Sequence, residues 1–304
     1  QDRKLRELFS KVLDETARAG SIGPAFAILW VQEQQRRNNW DCWRQLANWL
    51  PRLGTRLTPA IAAYLDLLGD SMCAEPHLAR FIQNTGDFLR ERGELWGKVS
   101  YAFTASRRYK DCIHWMQNDF RRPDAEGWML SNLAVSFLET QSKNRAIEVS
   151  RHVVEQGLRD STWAAHVAIA SHGAVIEGDY EGARRIASLE STQDRQSGWS
   201  FITYLAQLEA SVLSQPSKQA KQVFAGELAN LRSRISTAAL SPWMQQAAEA
   251  AIERMRSYCG IRFMPWNQPR FKAPRQEGSG GLPGWSYGII LMLLFNILRS
   301  CAGS

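Results

Sequence analysis

Cys73 and His77 are the pair of residues best spaced for chemistry. Four positions apart, a thiolate and an imidazole share one face of a helix, as two metal ligands do. Pro76 stands between them and no second pair accompanies them, so the spacing does not build a metal site. Cys112 and His114 are two apart and point to different faces of a helix, which makes both structural. The remaining histidines, His152, His166 and His172, are dispersed. The chain has no G-x-S-x-G turn, no phosphate-binding P-loop, no H-E-x-x-H zinc motif and no paired-carboxylate motif. The expectation is a protein that is not an enzyme and uses no metal, cofactor or small-molecule substrate.

Composition supports a folded chain. With 304 residues, 44% hydrophobic and 22% charged, it is large enough for a substantial core. Five scattered cysteines without a C-x-x-C pair suit a reducing compartment. Twelve Trp is many for this length, and most are expected to be packing wedges. The opening residues read as an amphipathic helix, unlike a signal peptide. The chain starts at Gln1 without Met, the pattern of a fragment or processed chain with room for an upstream domain.

The elements are helices throughout. Periodicity predicts them at 3–18, 23–38, 40–52, 58–69, 77–92, 95–106, 109–120, 127–140, 144–157, 162–176, 181–189, 198–213, 218–235 and 240–257. Pro24 and Pro59 suit first turns, Pro51 is expected to end or kink its helix, and Ser241 is expected to be an N-cap. One pattern recurs three times. Trp96, Val99, Ser100, Phe103, Tyr109, Cys112, Ile113 and Met116 form the first unit. Leu130, Leu133, Ala134, Phe137, Ala146, Ile147 and Val153 form the second, and Val167, Ala170, Ser171, Ala174, Gly178, Tyr180 and Ala183 the third. Cys112 to Ala146 is 34 residues and Ala146 to Ala183 is 37. Small residues at these points let two helices approach, and large ones fill the gaps between pairs. Glu177, Gly178, Asp179 and Tyr180 read as the turn between paired helices.

The 34-residue step, the Gly-Asp-Tyr turn and the small residue three places after the Tyr resemble the tetratricopeptide (TPR) family. The resemblance is strongest over 93–195, with Asp119 and Glu190 where a small residue is usual. It implies an all-α fold: an α-solenoid of antiparallel helix pairs whose first helices line a concave face. Another α-solenoid or an irregular helical bundle is the alternative. The resemblance puts Tyr101, Thr104 and Arg108 of the first unit on that face. The second unit contributes Trp128, Ser131, Asn132, Val135 and Leu138, and the third Ala165, His172 and Val175. Such a surface suits a peptide or helix laid in a groove. Trp128 reads equally as a groove anchor and as a packing wedge. Asn132 matches one position of the carboxylate clamp by which some family members hold chaperone tails. Gly97, Tyr101, Ala165 and Ile169 do not complete it, which disfavours that partner.

Beyond Tyr258 the composition changes. Pro265, Pro269, Pro274, Pro283 and Gly-rich 278–281 describe a linker, and 251–277 holds six basic against two acidic residues, over half of the chain's net charge of +7. An apolar run follows, including Trp285, Tyr287, Ile289, Ile290, Leu291, Leu293, Leu294, Phe295 and Leu298, closed by Arg299. As a helix it is about 22 Å long, shorter than the usual span of roughly 20 residues. It reads as a membrane tail anchor, with a docking hook and an interfacial helix as alternatives. The basic approach favours anionic lipid and a cytosolic repeat domain. Cys301 to Ser304 match a weak prenylation pattern that a spanning helix would exclude.

The segments are therefore 1–92 irregular helical repeats, 93–195 TPR-like repeats, 196–257 closing helices, 258–284 basic linker and 285–299 apolar anchor or docking helix. The expected function is a membrane-tethered adaptor binding a protein partner on a cytosolic membrane face. An RNA-binding helical-repeat protein and a regulatory domain of a larger enzyme are the rivals.

Overall fold

Apolar residues recur along this chain at three- and four-residue steps, and each such stretch is a helix. The computed structural model describes residues 2–19, 23–190, 197–237 and 240–261. Among them are fourteen α-helices and no strand, close to the ranges predicted from periodicity. The described residues fall into two compact units, divided after Thr140. The division falls inside the stretch 93–195, between the two helices that the sequence pattern assigns to its second unit.

The first unit holds α1 (Asp2–Ala19), α2 (Pro24–Arg36), α3 (Trp43–Leu53) and α4 (Thr58–Asp70). It continues with α5 (Ala74–Arg90), α6 (Gly93–Ala105), α7 (Tyr109–Met116) and α8 (Gly127–Glu139). Helices α2, α4, α6 and α8 form a row in which each packs on the next. Helix α5 packs on α3, α4 and α6, and α7 on α6 and α8. Aromatic rings join these helices. Tyr64 of α4 meets Phe81 of α5 edge-on at 5.5 Å, Trp43 lies 6.4 Å from the same ring, and the Tyr64 hydroxyl donates to the Trp40 carbonyl at 2.9 Å.

Local chemistry accounts for the ends. Pro24 and Pro59 occupy first turns as expected. Pro51 does not stop α3: a proline's fixed φ is already helical, and the helix runs on to Leu53 before Gly54 turns the chain at φ +52°. Helix α5 is interrupted at Glu75, whose ψ of 136° is the extended geometry favoured before a proline, here Pro76. Helix α7 ends at Met116, short of the expected 120, and a run of turns buries Phe120 beyond it.

The second unit holds α9 (Lys143–Gln156), α10 (Trp163–Ile176), α11 (Tyr180–Ala187), α12 (Gly198–Leu213), α13 (Ser217–Thr237) and α14 (Pro242–Tyr258). Helix α10 packs on α9, α11 and α12, and α12 in turn on α11, α13 and α14. The expected turn is present. Gly178 takes φ +81°, and the Asp179 carboxylate caps α11 by accepting from the Gly182 amide at 2.8 Å. The Ser241 hydroxyl accepts from the Met244 amide at 3.4 Å, as expected of the α14 cap.

Small residues sit where helices meet: Cys112, Ala146 and Ala183 are fully buried. Ala183 lies among Ala174, Val175, Ala206 and Ala210, with Tyr180, Ile186 and Leu213 against them. The buried residues around it are Ala and Val, which have no flexible end to move aside. Ala183→Leu is therefore expected to destabilise the protein by about 1–3 kcal/mol through overpacking, measured by denaturant unfolding. An unchanged midpoint would contradict this packing.

Candidate functional site

Helices α4 and α6 are almost wholly apolar, and each carries two charges four residues apart. These are Asp66 and Asp70 on α4, and Glu94 and Lys98 on α6. Four-residue spacing puts each pair on one stripe of its helix. In the first unit these stripes and that of α8 join into one polar and aromatic surface. Lys98 Nζ lies 2.8 Å from Asp66 Oδ2 and 5.5 Å from the centre of the Trp128 ring. The Tyr101 hydroxyl donates to Asp70 Oδ1 at 2.5 Å. Asn132 Nδ2 donates to Ser100 Oγ at 3.1 Å, tying α8 to α6. Trp128 Nε1 donates to Glu126 Oε2 at 2.8 Å.

Missing side chains hold these groups close. A Cβ on Gly69 would sit 2.7 Å from the Tyr101 ring, and one on Gly97 would sit 2.6 Å from Met129 and 2.8 Å from Trp128. Tyr101 and Trp128 thus reach close against glycines of the neighbouring helix.

The electrostatics follow from partial burial. Burial pushes the Asp66 carboxyl above its ordinary range; Lys98 pulls it back without cancelling the effect. The Tyr101 hydroxyl is pushed up by burial and then by the Asp70 charge it faces, so it remains a donor. Asp70, Glu94 and Glu126 are exposed.

The residues assigned to the concave face by resemblance divide into two groups. Trp128, Ser131, Asn132 and Val135 are half-buried along α8. Tyr101 is buried yet sends its hydroxyl to exposed Asp70. Thr104 is buried, its hydroxyl 3.4 Å from both Cys112 Sγ and Ser136 Oγ, so it serves the packing of α6 on α7 and α8. Arg108 caps no groove position. It leads into α7, bonded to Asp111 at 2.8 Å and facing Glu75 at 3.5 Å. Leu138, Ala165 and Val175 are buried. The tail residues 285–299 lie outside the described residues. Of the described tryptophans, Trp30, Trp40, Trp43, Trp49, Trp96, Trp115 and Trp243 are buried, while Trp128, Trp163 and Trp199 keep part of their surface in solvent.

His172 belongs to the second unit and is also buried. Its ring meets Trp243 edge-on at 5.8 Å, and Trp199 lies 6.0 Å from Trp243. Burial first, then the charges of Arg254 and Lys143, hold its pKa down at about 4, so the imidazole is neutral. Nearby chemistry includes Glu209, fully buried and gripped by Arg254 through Nε at 2.5 Å and Nη2 at 3.1 Å. Burial raises the Glu209 pKa more than Arg254 lowers it.

Sequence reasoning passed over Asp66, Asp70, Glu94 and Lys98. The available signal was their isolation: two charges at a four-residue step in a helix that is otherwise apolar. Among known proteins, no family model and no curated sequence matches this chain. The face is therefore interpreted from its own chemistry.

His172 generates a pH prediction. Its folded pKa lies below the ordinary 6.5, so the unfolded chain takes up the proton first as pH falls. Stability is complete above pH 6.5 and is lost toward pH 4, by up to about 3 kcal/mol at 1.36 kcal/mol per unit. Glu209, with a raised pKa, acts in the opposite direction, so the difference between wild type and His172→Gln isolates the histidine. Urea midpoints from pH 7 to 4.5 should fall more steeply for wild type; parallel curves would contradict the assignment.

Proposed function

We propose that this protein is an adaptor of TPR-like helix pairs that binds a basic peptide or helix across α4, α6 and α8. The observation that carries this reading is Trp128, a half-buried ring beside a surface where acids outnumber bases. Among the described residues, Asp66, Asp70, Glu94 and Glu126 stand there against Lys98, which is already engaged by Asp66. A partly exposed Trp ring held by its neighbours is the type of side chain on which binding energy concentrates. Exposed carboxylates on its flanks favour Lys or Arg in the partner and repel a phosphate backbone, which sets the RNA reading aside for this face. Hydrogen bonds between neighbouring helices hold the groups in place before a partner arrives, which lowers the ordering cost of binding.

The second part of the proposal is tethering. The apolar run 285–298 behind a basic linker supports attachment to a membrane, with the helical units on its cytosolic side. Among the described residues no helix is long and apolar enough to cross a membrane. Carbonate-washed fractions should hold the full chain in the pellet and a 1–277 truncation in the supernatant. A full chain that stays in the supernatant would sink the tether.

The test of the face is partner capture with wild type, Trp128→Ala and Asp70→Lys. Trp128→Ala should weaken binding by roughly thirtyfold, the scale of a 2 kcal/mol hot spot. Asp70→Lys should weaken it too, and most at low salt. Trp128→Ala that loses about 3–5 kcal/mol of stability while binding persists would make Trp128 a packing wedge and remove the anchor.

A further inference from the structure

Helix α1 has two faces. Ser10, Leu13, Asp14 and Ala17 turn to α2. Leu13 and Ala17 are buried, Arg37 bonds Asp14 at 2.8 Å, and Ser10 donates to Glu33. The other face carries Leu8 at 59% exposure, Phe9 at 49% and Val12 at 50%. Eight large apolar side chains are exposed among the described residues, and three fall on this single stripe. Scattered exposed apolar residues need no explanation, but a contiguous stripe does.

We propose that this stripe pairs with the same stripe of a second copy, α1 lying antiparallel to α1. The charges beside it select that occupant. Exposed Lys4 and Glu15 are eleven residues apart, three helical turns, and so lie along one edge of the stripe. Their midpoint falls between Phe9 and Ser10, within the run from Leu8 to Val12. A two-fold axis through that point sets each Lys4 against the other copy's Glu15, twice, while the apolar residues meet at the centre. Such a contact is closed and self-complementary. Lys11, 3.9 Å from Glu15 and 72% exposed, joins the same edge. A lipid surface fits less well. Interfacial helices are strongly basic on their polar face, whereas α1 carries five basic and four acidic residues. An 18-residue helix is about 27 Å long, so the contact is at the small end of the range and the dimer is weak and concentration-dependent.

The test is sedimentation velocity of the full chain over a range of concentrations, with helix content followed by circular dichroism. Wild type should shift from monomer toward dimer, and Val12→Asp should stay monomeric. Because Val12→Asp can also loosen α1, charge reversal supplies the second arm. Glu15→Lys should raise the dimer dissociation constant about tenfold, and Lys4→Glu combined with Glu15→Lys should restore it. Both reversals retain the Lys11 neighbour, so rescue reports contact between copies. A monomer at every concentration would overturn the proposal. So would equal association in all variants, or a double variant as weak as Glu15→Lys. Binding to phosphatidylserine vesicles that Val12→Asp abolishes, with wild type monomeric in buffer, would assign the stripe to lipid and overturn it as well.

Discussion

Close approach between neighbouring helices at glycine is the constraint on which the rest of this structure depends. In the first unit Gly69 admits the Tyr101 ring and Gly97 admits Trp128 and Met129; in the second, Gly173 admits Ile147, whose methyl carbon would lie 2.4 Å from an added Cβ. A glycine inside a helix gives up about 1 kcal/mol of helix propensity relative to Ala. Overpacking such a contact costs about 1–3 kcal/mol, so the clash outweighs the gain. The same contacts that set the helix spacing also fix the rings of Tyr101 and Trp128, and through them the charges of Asp70 and Lys98. Packing and the candidate face are thus one arrangement seen from two sides.

Both units bury polar groups, and two ionisable ones in the second are enclosed in different ways. Glu209 is fully enclosed and held by two nitrogens of Arg254, which itself remains partly in solvent. Removing one member of such a pair leaves a buried charge without compensation, so the pair specifies how α12 and α14 meet more than it adds net stability. His172 solves the same problem differently. Its environment excludes the charged form, and the neutral ring packs against Trp243 as an aromatic. The buried thiols are inert for the same reason: burial pushes Cys42 up to about 12 and Cys112 up to about 11, far from a reactive thiolate.

Much of the fold was legible in the sequence because amphipathic spacing, first-turn prolines and caps are local signals. Ser241 and the Gly178–Asp179 turn are read from neighbouring residues and occur where expected. The face was only partly legible. The resemblance put Trp128, Ser131, Asn132 and Val135 on one side of α8, where all four are half-buried, but α10 is buried from Ala165 to Val175, apolar nearly all round. A helix without a polar stripe gives no sign of which side faces outward, and so His172 was expected on a surface it does not reach. The Lys98–Asp66 and Tyr101–Asp70 pairs depend on the register between helices more than thirty residues apart, which no local pattern encodes. The division after Thr140 is likewise a property of long-range packing.

The central claim is that the face of α4, α6 and α8 receives a protein segment. Site-specific photo-crosslinking tests it most directly, with the reactive side chain placed at half-buried Ser131 on α8 or at exposed Lys110 on α7. The account predicts a discrete protein adduct from position 131, suppressed by Asp70→Lys, and none from position 110. Adducts from position 110 alone, or nucleic acid captured at position 131, would contradict it.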